Sequence, residues 1–302
     1  MPQTYAFVTI GHAADFGLLE LQARSMALYC PPALVHEILI VENFDAQTAI
    51  DWRPALLKAY GPLAHLVWFV DQATLAPMEA RHGGWWRQQV LKLAVARVVT
   101  AERYLVLDCK NHLFRPLEAS FLETPAGQPK LNGYGFEKHS LRDALIRTLG
   151  YFAIDAAPFI SHFTRTSTPF LMLTAVALEV VAYVEQREKR PFAEAFLDLR
   201  LTEFFLYSAY LQSKGRLQST YSMTQPFCAQ IWEFSAIEAG VREALGRAAE
   251  IKGGPFIAVH PRALKAMGEP ARRLVAEFWH AAGLFPSVAD AATAQLSTRS
   301  RV

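Results

Sequence analysis

The stretch YLVLDCKNHLFRPL, residues 104–117, changes character at its fifth residue. Tyr104 to Leu107 are apolar and read as a strand entering a core. An acid, a thiol, a base, an amide and an imidazole follow in a row: Asp108, Cys109, Lys110, Asn111 and His112. Leu113 and Phe114 are apolar again, and Arg115-Pro116 breaks the run. A buried strand that ends this way puts polar side chains at one edge of a sheet. Open α/β sheets bind their ligands at that edge.

Similar runs precede it. YAFVTIG, HEILIVEN and HLVWFVDQ read as strands, and RYLVLD as the fourth. DFGLLELQARSMALY has helical spacing, with Leu18, Leu21, Ser25 and Leu28 on one face. A second helix is expected over Trp52–Tyr60, and a third, WWRQQVLKLAVARVV, after Gly83-Gly84, with Trp86, Val90, Leu93 and Arg97 on one stripe. Strands alternating with helices predict an α/β sheet, mostly parallel. Its strand ends would bring His12, Asp15, Glu42, Asn43, Asp71 and Gln72 to one crevice with the cluster at 108–112.

The second half is less regular. LNGYGF is a further strand candidate, and helices are expected over 169–186, 192–212 and 234–249. PFIAVHP reads as a last strand and PARRLVAEFWHAAGL as a last helix, before a loose tail beyond Asp290. No internal repeat and no low-complexity linker interrupts the chain. The expected organisation is one α/β domain over residues 1–262, with a helix and tail, 263–302, packed on it.

The 302 residues are 52% hydrophobic and 19% charged, which excludes a disordered chain. A net charge of +2 from 30 basic and 28 acidic side chains gives no nucleic-acid footprint. Cys30, Cys109 and Cys228 are far apart and form no C-x-x-C, so a disulfide framework or zinc knuckle is not expected, and a reducing cytosol fits. The N-terminus lacks the pattern of a signal peptide. PFLMLTAVALEVVAYVEQ carries Glu179 and reads as a buried helix, not a membrane span. Basic spots at Arg187–Arg190 and at Arg299 and Arg301 leave peripheral membrane contact open, although such spots usually mark solvated surface.

The motif search narrows the chemistry. GHAADFG is not a dinucleotide fingerprint, and no P-loop, G-x-S-x-G or H-E-x-x-H occurs. A carboxylate fixed by a strand at a sheet edge remains. Such an acid suits a divalent cation, and the cation suits a diphosphate.

The segment GWWRQQVLKLAVARVVTAERYLVLDCKNHLFRPL, residues 84–117, resembles the central region of bacterial A-type (GT-A) glycosyltransferase-like proteins. Their pattern is Gly-Trp/Tyr, Gln-Gln, a Leu-Lys helix, a strand ending Leu-Asp-x-Asp, and an Arg-Pro. PFISHFTRTSTPFL, LTEFFLYSAYL and FIAVHP follow in the family's order, so the resemblance runs over residues 5–262. It implies a GT-A-like nucleotide-diphospho-sugar transferase fold, a mostly parallel sheet flanked by helices with a helical C-terminal part. It also implies transfer of a sugar from a nucleoside-diphosphate sugar to a glycan or other hydroxyl acceptor, as in surface polysaccharide synthesis.

By that resemblance Asp108 is the first acid of a motif that binds Mn²⁺ or Mg²⁺. Lys110 stands where the second acid belongs, and an ammonium cannot ligate a metal. Three readings stay open. Asn111 or His260 completes a weaker metal site, Lys110 itself meets the diphosphate, or catalysis has been lost. Gln89 and Lys92 share a helix face that would point at the donor. Trp86, one of two adjacent tryptophans that face different ways, would stack on a base or sugar. Glu203 would serve the acceptor, and His162 is a further candidate for substrate contact.

Each residue has a plainer reading. Asp108 could cap a turn, Lys110 could be solvated, and Asn111 and His112 could be turn residues. Cys109 could pack as a small apolar group. Glu203 sits at a helix start, where the macrodipole favours an acid. His162 and His260 could be structural. GHAADFG and VENFD are donor-side loop candidates on topology alone. Two rival functions stand beside the transferase: a non-catalytic sugar-nucleotide or glycan binder, and a nucleotidyltransferase.

Overall fold

β1 (Tyr5–Gly11) is buried along its whole length, and its alternate side chains serve two different cores. Tyr5 and Phe7 enter one, and Ala6, Val8 and Ile10 enter the other. Two-sided burial explains a continuous apolar run where a half-exposed strand would alternate. The computed structural model describes residues 3–43, 51–78, 82–250 and 254–297. The other strands there are β2 (Val35–Glu42), β3 (Val67–Asp71), β4 (Arg103–Leu107), β5 (Asn111–Leu113), β6 (Gly133–Tyr134), β7 (Phe163–Thr164), β8 (Phe170–Leu173), β9 (Ala229–Ile231) and β10 (Phe256–Val259).

The main sheet has five strands in the order β3-β2-β1-β4-β8. β1, β2, β3 and β4 run parallel, and β8 is antiparallel to β4. Registers set Gly11 opposite Glu42, Glu42 opposite Asp71, and Thr9 opposite Leu107. The carboxyl ends of four neighbouring strands therefore share one edge, and Asp108 is the next residue beyond it. Helices Phe16–Tyr29 and Arg53–Tyr60 cover one face. Helices Gly84–Ala94, Thr174–Glu188, Phe192–Asp198 and Glu203–Ser213 cover the other.

A second sheet, β5-β10-β9, extends from the edge of the first. β10 is antiparallel to β5, with Ala258 opposite Asn111, and parallel to β9, with Val259 opposite Ile231. That register brings Trp232 and His260, the residues just after β9 and β10, beside Lys110. β6 and β7 form a separate antiparallel pair.

Several elements differ from the sequence expectation. The helix expected over 169–186 begins as strand β8, which pairs with β4, and turns helical only at Thr174. A continuous apolar run carries no period to separate the two. The expected 192–212 helix is two, Phe192–Asp198 and Glu203–Ser213, with Arg200 between them at φ 50°. LNGYGF contributes only the two residues of β6. The tail expected to be loose forms the helix Val288–Ser297, tied to the previous helix by Gln295 Nε2 donating to the Arg272 carbonyl at 3.1 Å. Leu28, expected on the buried face, is 53% exposed, and Arg97 is at the surface, paired with Glu185 at 2.7 Å.

Candidate functional site

β4 delivers Asp108 into a tight turn. The Asn111 N–H donates to the Asp108 carbonyl, and Asn111 Oδ1 accepts the Asp108 N–H, both at 2.9 Å. Gln22, buried on the Phe16–Tyr29 helix, donates its amide to the carbonyls of Asp108 (2.8 Å) and Asn111 (2.9 Å). Its oxygen accepts from the Thr9 hydroxyl of β1 at 2.8 Å. The polar knot that ends the strand is thus a turn locked to the first strand and first helix. Its backbone groups are satisfied internally, which leaves the Asp108 carboxylate to project.

That carboxylate stands between two ammoniums. Lys92 Nζ lies 2.9 Å from Oδ1, Lys110 Nζ donates to Oδ2, and the Thr168 hydroxyl donates to Oδ2 at 2.9 Å. Lys92 also donates to Glu203 Oε1 at 3.1 Å, and its ammonium lies over the Phe204 ring at 5.1 Å. The chain of charges is Glu203, Lys92, Asp108, Lys110. Side-chain exposure along it is 9%, 7%, 22% and 11%, so the acid between the two lysines is the most open member and Lys110 is more open than Lys92.

The protonation states follow. Burial pushes the Asp108 carboxyl up, but Lys110 and Lys92 outweigh burial and hold it well below the usual carboxylate range. Burial disfavours the Lys92 ammonium, yet Asp108 and Glu203 raise its pKa above the ordinary value. For Glu203, burial prevails over Lys92 and the pKa rises. Lys110 has an aromatic wall as well, its ammonium 5.4 Å from the Trp232 ring centre. The rings of Trp232 and His260 lie 4.9 Å apart. His260 Nδ1 accepts the Arg262 N–H at 3.2 Å, capping the Pro261–Ala266 helix. Burial, with Lys110 and Arg262 nearby, lowers its pKa to about 4.

The pattern of a family of unknown function, DUF6492, matches residues 11–233. The chain belongs to this family. A search of the curated proteins finds no match. Among solved structures, an active-site mutant of LgtC is 9% identical, with 92% of this chain and 99% of that chain covered at a TM-score of 0.51. A complex of the galactosyltransferase LgtC with donor and acceptor sugar analogues gives 12% identity, 92% and 95% coverage and a TM-score of 0.49. The bifunctional glycosyltransferase WbbM is 10% identical with a TM-score of 0.51, covering 98% of this chain and 52% of that one. At these identities the likeness shows the fold alone, and the fold is that of the GT-A glycosyltransferases.

In this DUF6492 chain, Asp108, Lys110, Lys92, Glu203 and Asn111 come together, and His260 stands one ring away, beyond Trp232. The sequence placed Glu203 at the acceptor; its carboxylate binds Lys92. Asn111 shapes the turn, its Nδ2 donating to the Thr168 carbonyl at 3.4 Å. Gln89 is buried without a hydrogen-bond partner at either amide atom. Trp86 is half-buried and packs edge-to-face on the exposed Trp85 at 4.7 Å. His162 is exposed beside Gly133, and no contact among the described residues joins it to Asp108. His112 is a core residue that accepts the Trp279 indole N–H at 2.8 Å. Cys109 is buried and donates to the Ile10 carbonyl at 3.6 Å.

At the other strand ends Glu42 forms a two-pronged pair with Arg53, both contacts at 2.8 Å, and Asp71 caps a short helix through the Ala73 N–H. Phe44 and Asp45 of VENFD lie outside the described residues, as do Arg299 and Arg301. Sequence reasoning missed Gln22, Thr168 and Trp232. A signal for Gln22 existed: it follows Leu18 by four positions and precedes Ser25 by three, so it sits on the stripe expected to be buried.

A divalent cation such as Mn²⁺ or Mg²⁺ needs several free oxygen or nitrogen donors at one point. Among the described residues, no three of His, Cys, Asp and Glu gather where they could hold one. Both Asp108 oxygens are taken, Asn111 Oδ1 holds the Asp108 N–H, and His260 Nδ1 holds the Arg262 N–H. A cation would also stand against two ammoniums in a half-buried place, where like charges repel strongly. This donor set does not fit Mn²⁺ or Mg²⁺.

Proposed function

We propose that the chain transfers a sugar from a nucleoside-diphosphate sugar to an acceptor hydroxyl, with Lys110 in place of a metal at the diphosphate. The observation that carries this reading is the pairing of Lys92 and Lys110 on the two oxygens of one strand-end acid in a GT-A fold. The acceptor oxygen bonds to the anomeric carbon, the bond from that carbon to the diphosphate oxygen breaks, and its electron pair stays on the diphosphate. The proton of the acceptor hydroxyl passes to the departing diphosphate oxygen, which holds that electron pair. Charge therefore develops on the leaving group, and a fixed ammonium in a water-poor site stabilises it without reorganising.

Lys110 is the more exposed lysine and faces the diphosphate. Glu203 and Asp108 hold Lys92 behind it, so the local field is set before the substrate arrives. Trp232 walls the same side. Gln89 and Trp86, on the Gly84–Ala94 helix, belong to the donor side of this reading, and His162 to its periphery. A role in surface polysaccharide synthesis is the finer form of the proposal and rests on the sequence resemblance. A cytoplasmic setting rests on three buried free cysteines; no helix among the described residues is long and apolar enough to cross a membrane.

The ion-paired Asp108 also favours one alternative, a relative that binds sugar nucleotides without turning them over. Incubation with a panel of nucleoside-diphosphate sugars separates the two. Release of nucleoside diphosphate that Asp108→Ala abolishes supports transfer. Saturable binding with no release, to acceptor or to water, assigns the binder, and no binding at all removes both.

A further inference from the structure

A second polar group lies two hydrogen bonds behind Asp108. Thr168, whose hydroxyl meets the acid, offers its carbonyl to Arg165 Nη2 at 3.2 Å. Arg165 is 1% exposed and makes its other contacts to the Ser167 hydroxyl, from Nε at 3.3 Å and Nη2 at 3.1 Å. No carboxylate among the described residues pairs with it, and Nη1 has no partner. An unpaired guanidinium inside a protein is costly, so its persistence calls for a compensating anion.

Its neighbours are equally unsatisfied. The β6–β7 register continues to Asn132 opposite Arg165, whose N–H donates to the Asn132 carbonyl at 3.1 Å. Residues directly opposite in an antiparallel pair project to the same face. Gln225 is held beside this segment, its N–H donating to the Leu131 carbonyl at 3.0 Å. Asn132 and Gln225 are both buried, and neither amide has a partner at its oxygen or its nitrogen. The group offers N–H donors at Nη1, Asn132 Nδ2 and Gln225 Nε2, and two carbonyl acceptors. Donors around one positive charge match a carboxylate, and amide oxygens match hydroxyls. A neutral sugar would leave the guanidinium uncompensated, and a phosphate would bring more charge than one cation balances.

We propose that Arg165, Asn132 and Gln225 form the subsite for an acidic sugar, with its carboxylate on Arg165 Nη1 and its ring hydroxyls on the two amides. The proposal deepens the transfer reading and rests on it for the sugar's place in the reaction, but not for the sugar's charge. The group is closed over, so binding requires the segments 131–134, 163–168 and 222–225 to part; none of them belongs to the main sheet.

Calorimetric titration of the full chain tests this with matched pairs that differ only in the carboxylate. UDP-glucuronate against UDP-glucose, and UDP-galacturonate against UDP-galactose, place the acid on the donor. The methyl glucuronoside against the methyl glucoside, and the galacto pair, titrated with and without UDP, place it on the acceptor. One arm is expected to favour the acid by roughly tenfold or more, as a lost hydrogen-bonded charge implies. Arg165→Gln should remove that preference, and Asn132→Ala should weaken binding of the acid form. No preference in any arm overturns the subsite. So does an Arg165→Gln protein that is less stable yet keeps the preference, since Arg165 then only supports Thr168. Should Arg165→Gln not fold, Asn132→Ala and Gln225→Ala decide, and unchanged uronate binding in both overturns it. Failure of UDP and every nucleotide sugar to bind would count against the transfer reading, while the glycoside pairs would still judge the subsite.

Discussion

In the proposed transfer, Lys110 is the residue on which the chemistry turns. A solvated loop lysine would be worth little, whereas this one donates to Asp108 and stands over Trp232. Lys110→Ala is expected to weaken nucleoside-diphosphate binding by about 2–5 kcal/mol, the cost of removing one partner from a buried charge pair. Titration calorimetry reads this directly, and a change below about 0.5 kcal/mol would return Lys110 to the surface class. Lys110→Asp puts a carboxylate beside Asp108 and should make binding depend on Mn²⁺. Residue types alone pointed to Asp108 and Lys110, because charges just after an apolar run stand out, whereas Lys92 and Glu203 came from the family resemblance. Their pairing was not legible, because Lys92 and Glu203 are 111 residues apart and on different helices. Thr168, one of several small polar residues in a row, gave nothing to notice, and uncharged Gln22 showed only through its place on the buried stripe.

Elements were readable where burial imposes a pattern. β1 and β4, buried on both faces, produce unbroken apolar runs, and their common edge followed from the parallel arrangement. β8 was hidden because its run continues without pause into a helix, and the Val288–Ser297 helix because its small residues carry no clear period. The small sheet was only partly legible, since its strands have three or four residues each and depend on pairing. That sheet also carries a pH prediction. His112, on β5, is buried and accepts from Trp279, and burial lowers its pKa to about 4. The unfolded chain, with a histidine pKa near 6.5, binds the extra proton first as pH falls. Stability from neutral His112 is therefore complete above about pH 6.5 and is lost as pH falls towards 4. Urea unfolding at pH 7.5, 6.5 and 5.5 should show a slope approaching about 1.4 kcal/mol per pH unit for each such histidine. His260, lowered for similar reasons, adds to it. His112→Gln should flatten the slope; an unchanged slope would remove His112 as its source.

For the whole molecule, we propose that residues 263–302 belong to the same folding unit as residues 1–262. Trp279 fills the space against His112, and Ala271, Val275 and Ala276 join the core that β1 and β4 enter. A chain ending at residue 262 should therefore lose cooperative unfolding, and a single two-state transition of unchanged midpoint in it would separate the parts. In the proposed transfer, Lys110, paired with Asp108 beside Lys92, takes the place of a metal at the diphosphate. Binding of a nucleoside-diphosphate panel, measured by calorimetry in EDTA and again with Mn²⁺, tests this most directly. One nucleotide is expected to bind with the same affinity in both, and Lys110→Ala to lose it. Binding that appears only with Mn²⁺ and survives Lys110→Ala would contradict it.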